Sequence, residues 1–147
     1  MTRRTLRWSL VVALLISAGF AAWSWLLPYE WNVDSAARGK VVGVLLTKDQ
    51  SFCWLDVHLK MADGQNHDLT KPVRLVSNSG KQYEAADMVQ GNDDGTAEVW
   101  FKFWLEFHEL ESPLKLRIND GSLVIKANQG IPTIGNSNIK HFVTSHW

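Results

Sequence analysis

Cysteine is nearly absent: the 147 residues hold one, Cys53. A single thiol cannot build an internal disulfide framework or a multi-cysteine metal site. Proline is scarce too, four in all, and no repeat or low-complexity tract interrupts the chain, so it is neither a fibrous nor a linker protein. Excess charge of one sign is also missing, since 15 Lys+Arg balance 15 Asp+Glu. No basic stripe exists beyond three leading arginines, so the electrostatic footprint of a nucleic-acid binder is lacking. No G-x-G-x-x-G, Walker A or G-x-S-x-G run occurs, which removes the usual phosphate cradles and the nucleophile elbow. The length admits one ordinary domain with an appendage. What the chain has in quantity is apolar surface: 46% hydrophobic residues, with eight Trp, too much for a disordered protein.

Residues 8–29 contain no acid or base except the phenol of Tyr29. As a helix these 22 residues reach about 33 Å, enough for a hydrocarbon core of about 30 Å. Arg3, Arg4 and Arg7 precede the run, whereas Glu30 and Asp34 follow it. Positive residues stay on the cytoplasmic side, so residues 1–7 are expected inside and the rest of the chain outside. Trp8 marks one bilayer edge, and Trp23, Trp25, Tyr29 and Trp31 the other, as amphipathic rings do at headgroup level. Pro28 is expected to end the helix. Gly19-Phe20-Ala21 offers a signal-peptidase site, but Leu26 and Leu27 continue the apolar run beyond it, which suits an anchor. Thr2-Arg3-Arg4-Thr5-Leu6 matches a twin-arginine signal only in part. The expected setting is a bacterial inner membrane, because one thiol and no N-glycosylation sequon suit a periplasmic domain.

The remaining chain reads mostly in period two, with residues 30–40 as a linker. Cys53, Leu55, Val57, Leu59 and Met61 alternate with polar or aromatic neighbours, as do Val99, Phe101, Phe103, Leu105 and Phe107, and then Leu114, Leu116 and Ile118. Such alternation puts one apolar row on one face of a strand. Shorter strands are expected at 41–46, 72–77, 81–86 and 122–127. Asp120-Gly121 and Asn78-Ser79-Gly80 are the hairpin signals, and 62–71 and 87–96 read as loops. About seven short strands over 41–127 predict an all-β antiparallel sandwich behind one transmembrane helix. The tail, 128–147, regains apolar character at Phe142, Val143 and Trp147 and is expected to fold back onto the domain.

The succession Phe52-Cys53-Trp54-Leu55-Asp56-Val57-His58-Leu59, then Val73 to Tyr83 around Asn78-Ser79-Gly80, then Pro113-Leu114-Lys115-Leu116 resembles bacterial secreted or membrane-tethered immunoglobulin-like domains. The resemblance covers roughly residues 41–127. It implies an immunoglobulin-like fold outside the cytoplasm and carries no catalytic residues with it. The paired cysteines of antibody domains are missing, so packing alone must hold the core.

The distinctive candidate site is aromatic. Trp100 and Trp104 share one face of their strand about 13–14 Å apart, and with Trp54 on a neighbouring strand they could form a platform for a partner protein or a sugar ring. Burial under loops or the tail is the competing expectation, since Trp is highly buried on average. A small hydrolase centred on Asp56, His58 and Glu106 is a further alternative, although no nucleophile or oxyanion element accompanies them. His58, His67, His108, His141 and His146 are scattered without zinc spacing. The stretches 63–68 and 92–95 resemble calcium loops in composition only. Cys53 sits in an apolar row and reads as a small buried hydrophobe. The sequence therefore predicts a non-catalytic binding or assembly module with no cofactor or metal. Its expected partners are the membrane and an envelope protein, with a glycan as the alternative and nucleic acid excluded.

Overall fold

A computed structural model describes residues 3–26, 29 and 33–147. The first element, α1 (Arg3–Trp25), is a 23-residue helix. At about 1.5 Å per residue it is long enough to cross a bilayer. Among its described side chains none is buried, so no described part of the chain shields its apolar surface. Pro28, Glu30 and Trp31 lie outside the described residues, as does the Trp25 side chain.

Ten strands follow among the described residues: β1 (Val33–Asp34), β2 (Gly39–Asp49), β3 (Phe52–Met61), β4 (Arg74–Ser77), β5 (Gln82–Glu84), β6 (Asp87–Asp93), β7 (Thr96–Glu106), β8 (Leu114–Ile118), β9 (Gly121–Lys126) and β10 (Ile139–Phe142). They form two antiparallel sheets. The larger runs β1-β2-β3-β7-β6, with β10 also on β2; the smaller runs β5-β4-β8-β9. The count exceeds the expected seven by β1, β6 and β10. Residues 30–40 are only partly a linker, because β1 and the start of β2 lie within them. The tail belongs to the larger sheet, where Phe142 pairs with Val44 and Ile139 with Thr47.

The alternating rows are what make the core. Cys53, Leu55, Val57 and Leu59 of β3, Val99, Phe101, Phe103 and Leu105 of β7, and Leu114, Leu116 and Ile118 of β8 are all buried, and both sheets contribute to one hydrophobic cluster. Each such Leu or Phe contributes about 1.5–3 kcal/mol by leaving water. The residue between each inward pair points to the opposite face, and on β3 and β7 that outer face carries the Trp rings.

The stretch 87–96 was expected to be a loop. It is β6 and its turn into β7, and all seven β6 residues are exposed. Asp94 and Gly95 close this hairpin with positive φ at both positions, 47° and 81°, as a two-residue type I′ turn requires. The β8–β9 hairpin turns one residue earlier than Asp120-Gly121 suggested. Ile118 pairs with Gly121, and the positive φ falls on Asn119, at 53°. Gly121 has a different reason to be glycine: a Cβ there would lie 2.3 Å from the Ala37 backbone nitrogen.

Tyr29 corrects an expectation as well. It was assigned to the interfacial belt, yet it is 1% exposed and belongs to the domain core. Its backbone N–H donates to Val143 O at 3.0 Å, and its hydroxyl donates to Ile125 O. An amphipathic ring suits a half-polar core position as well as a headgroup layer, so the residue type alone does not separate the two.

Candidate functional site

Register places the three platform Trp residues on the outer face of the larger sheet. Trp54 and Trp104 are direct cross-strand partners, with centroids 4.5 Å apart and planes inclined by 50°. Phe52 stacks on Trp104 at 5.1 Å and 9°. Trp100 is not part of this trio. It faces His58 across the strands and stacks on that imidazole at 4.4 Å and 10°.

Between the two aromatic groups runs a charged row, Asp56 opposite Lys102 and Lys102 opposite Asp87. The Lys102 ammonium also lies 5.0 Å from the centre of a Trp54 ring, a cation–π contact. Burial raises the Asp56 carboxyl above its usual range; Lys102 works against that shift and Asp87 with it. His58 Nε2 stands 3.3 Å from a Glu98 carboxylate oxygen.

No described element covers this face. Trp104 is 37% exposed and Phe52 39%, and Leu45, Val89 and Ile139 are exposed beside them. The expectation that loops or the tail bury the rings therefore fails. The tail runs along the β2 edge instead. Trp54 and Trp100 are half-buried, held between their own neighbours.

The residues of the alternative hydrolase are not gathered. Glu106 pairs with Phe52 at one end of β3, whereas His58 lies six residues further along, about 20 Å at strand spacing. Cys53, the one thiol, is buried and donates to Leu105 O at 3.6 Å. Burial pushes its pKa up to about 12, so it stays a thiol at neutral pH.

Two features escaped the sequence reading. Glu106, His108 and Glu109 bring three potential ligand atoms within 4.8 Å, but the Lys81 ammonium already occupies the Glu109 carboxylate and lowers its pKa. Asn119 is a hub: its Oδ1 accepts from Asp68 N–H at 2.9 Å and contacts His67 Nδ1 at 3.2 Å, while its Nδ2 donates to Ala37 O at 2.6 Å. The turn was expected at Asp120-Gly121 rather than at Asn119, and the three partners of Asn119 depend on tertiary placement. Arg3, Arg4, Arg7, Trp8 and Trp23, expected at the bilayer edges, lie on α1, exposed.

No family model, curated protein or solved structure matches the chain.

Proposed function

We propose that this protein is a single-pass bacterial inner-membrane protein that holds an immunoglobulin-like β-sandwich in the periplasm as a non-catalytic docking module for another envelope protein. The observation that carries the docking role is the uncovered outer face of the larger sheet, where Phe52, Trp54 and Trp104 interlock and Trp100 stacks on His58. Aromatic anchors fixed in advance lose little side-chain freedom on binding and are the residue types that dominate protein interfaces. Exposed apolar residues flank them at Leu45, Val89 and Ile139, which suits a broad protein contact.

The same stacking argues against the glycan alternative. A sugar ring needs an open aromatic face, but Phe52 covers one face of Trp104 and His58 one face of Trp100. Lys102 lies over Trp54. The immunoglobulin-like assignment is supported by strand order. β2-β3-β7-β6 against β5-β4-β8-β9 follows the connectivity in which strands A, B, E and D face C, F and G with an added C′. Orientation rests on Arg3, Arg4 and Arg7 in the first two turns of α1, ahead of its apolar stretch.

Cross-linking from position 89 in intact cells, followed by capture from solubilised membranes, tests the docking role. Leu45→Asp and Trp104→Ala should each abolish a specific protein adduct without moving the unfolding midpoint. Undiminished capture by both variants refutes the docking face, and quenching of Trp fluorescence by cell-wall oligosaccharides would restore the glycan alternative. Protease added to spheroplasts should digest the domain; its survival would overturn the orientation.

A further inference from the structure

A cavity of about 500 Å³ opens where β2 begins and β3 ends, and Arg38, Lys40 and Lys60 line it together with Asp34 and Asp63. Lys40 and Lys60 are direct cross-strand partners, so two ammonium-bearing stems leave the sheet side by side. Like charges directly opposite one another destabilise a sheet. Arg38 adds a third positive charge from a left-handed backbone position, φ 62°, where a non-glycine residue is strained. That conformation is fixed locally: Arg38 N–H donates to Ser35 O at 3.2 Å and its carbonyl accepts from Ala62 N–H at 2.8 Å.

Among the described residues none of the three cations takes part in an ion pair. The nearby carboxylates are mostly engaged elsewhere. Asp34 accepts from the Ala36 and Ser122 N–H groups at 3.0 Å each. Asp68, which feels the Arg38 charge, accepts from Thr70 N–H and Oγ1. Glu98, opposite Lys60 on β7, is directed at His58. Asp63 remains at the rim as an acceptor for a ligand hydroxyl.

Arg38, Lys40 and Lys60 thus bring three positive charges, without an ion-pair partner among the described residues, to one hollow of headgroup size. We infer that this cavity binds a phosphate group, carried either on an anionic lipid headgroup or on a soluble phosphate ester. A guanidinium offers the planar fork that phosphate oxygens accept, and two ammonium groups supply point charges beside it. The site is separate from the aromatic trio and stands whether or not that face docks a protein. Trp25 and Asp34 are nine residue steps apart, at most about 30 Å of chain, so in the proposed single-pass arrangement a headgroup of the membrane around α1 is within range.

The test is amine-reactive footprinting of the full chain, read by mass spectrometry at each lysine. One arm uses neutral maltoside micelles with and without glycerol 1-phosphate. The other uses phosphatidylcholine nanodiscs with and without phosphatidic acid. At ligand ten times its Kd, labelling of Lys40 and Lys60 should slow about tenfold by mass action, while exposed Lys115 labels at an unchanged rate. Arg38→Gln, which keeps both reporter lysines, should remove the protection without shifting the unfolding midpoint. Protection in the lipid arm alone identifies a headgroup as the source, and protection by glycerol phosphate alone identifies a soluble ester. The proposal is overturned if Lys40 and Lys60 label like Lys115 in both arms, or if Arg38→Gln leaves their protection intact.

Discussion

Trp147 Nε1 donates to the Tyr29 hydroxyl oxygen at 2.8 Å, joining residues 118 positions apart. The Tyr29 hydroxyl in turn donates a hydrogen bond to Ile125 O, and the Trp147 ring stacks on Phe142 at 4.5 Å and 11°. Asn128 reinforces the join, accepting from Trp147 N–H at 2.8 Å. The segment that leaves α1 and the C-terminal tail are therefore fastened to the domain at one place.

Removing the hydroxyl tests this fastening. Tyr29→Phe leaves the Ile125 carbonyl without its buried donor and the Trp147 indole with only Thr144 O, at 3.1 Å. The expected cost is about 1–3 kcal/mol, read as a lower denaturant midpoint of the full chain in micelles. A midpoint equal to that of the unmodified protein would contradict the account.

Deleting residues 139–147 takes away β10, Phe142 and the Trp147 bond together. Loss of two packed aromatic side chains alone should cost about 3 kcal/mol or more. Hydrogen exchange should then accelerate along β2 from Val44 to Thr47, which β10 pairs in the intact domain. Unchanged exchange there would show that the tail contributes nothing to the sheet.

Gly121→Ala should destabilise through contact rather than dihedral strain. The new methyl group meets Ala37 N at 2.3 Å and Ala36 C at 2.8 Å, backbone atoms that cannot swing aside. Overpacking of this kind costs about 1–3 kcal/mol, to be measured by thermal unfolding. A neutral result would mean that the turn at Ser35–Ala37 yields freely.

Glu109 gives a pH prediction. Lys81 holds its carboxyl below the ordinary glutamate range, so the folded protein binds that proton less readily than the unfolded chain. The resulting stabilisation is complete above the ordinary value of about 4.3 and disappears as pH falls through the lower folded value. The midpoint difference between the unmodified protein and Glu109→Gln should therefore be constant near neutrality and shrink in acid. A difference that grows in acid would reverse the assignment.

Much of the fold was legible because burial leaves a period. β3, β7 and β8 each bury every second residue, and their rows stood out at Cys53–Met61, Val99–Leu105 and Leu114–Ile118. β6 left no such trace, since Asp87 to Asp93 face solvent throughout and read as polar punctuation. Trp100 and Trp104 were recognisable as same-face neighbours, but sequence spacing could not say that Trp104 would join Trp54 while Trp100 joined His58. That depends on the register between β3 and β7. The Lys40–Lys60 pair was hidden for the same reason: twenty residues separate them, and only the β2–β3 hairpin sets them opposite.

The two-residue pairing of β1 with β2 gives the domain a mechanical character. A pull on α1 would peel Val33 and Asp34 from Lys40 and Gly39 one bond at a time, a mode that resists little load. The Tyr29 side chain lies upstream of that seam, sunk in the core as a peg, and would take the tension first. Drag on α1 would thus strain the attachment of both chain ends before it reached the long central strands.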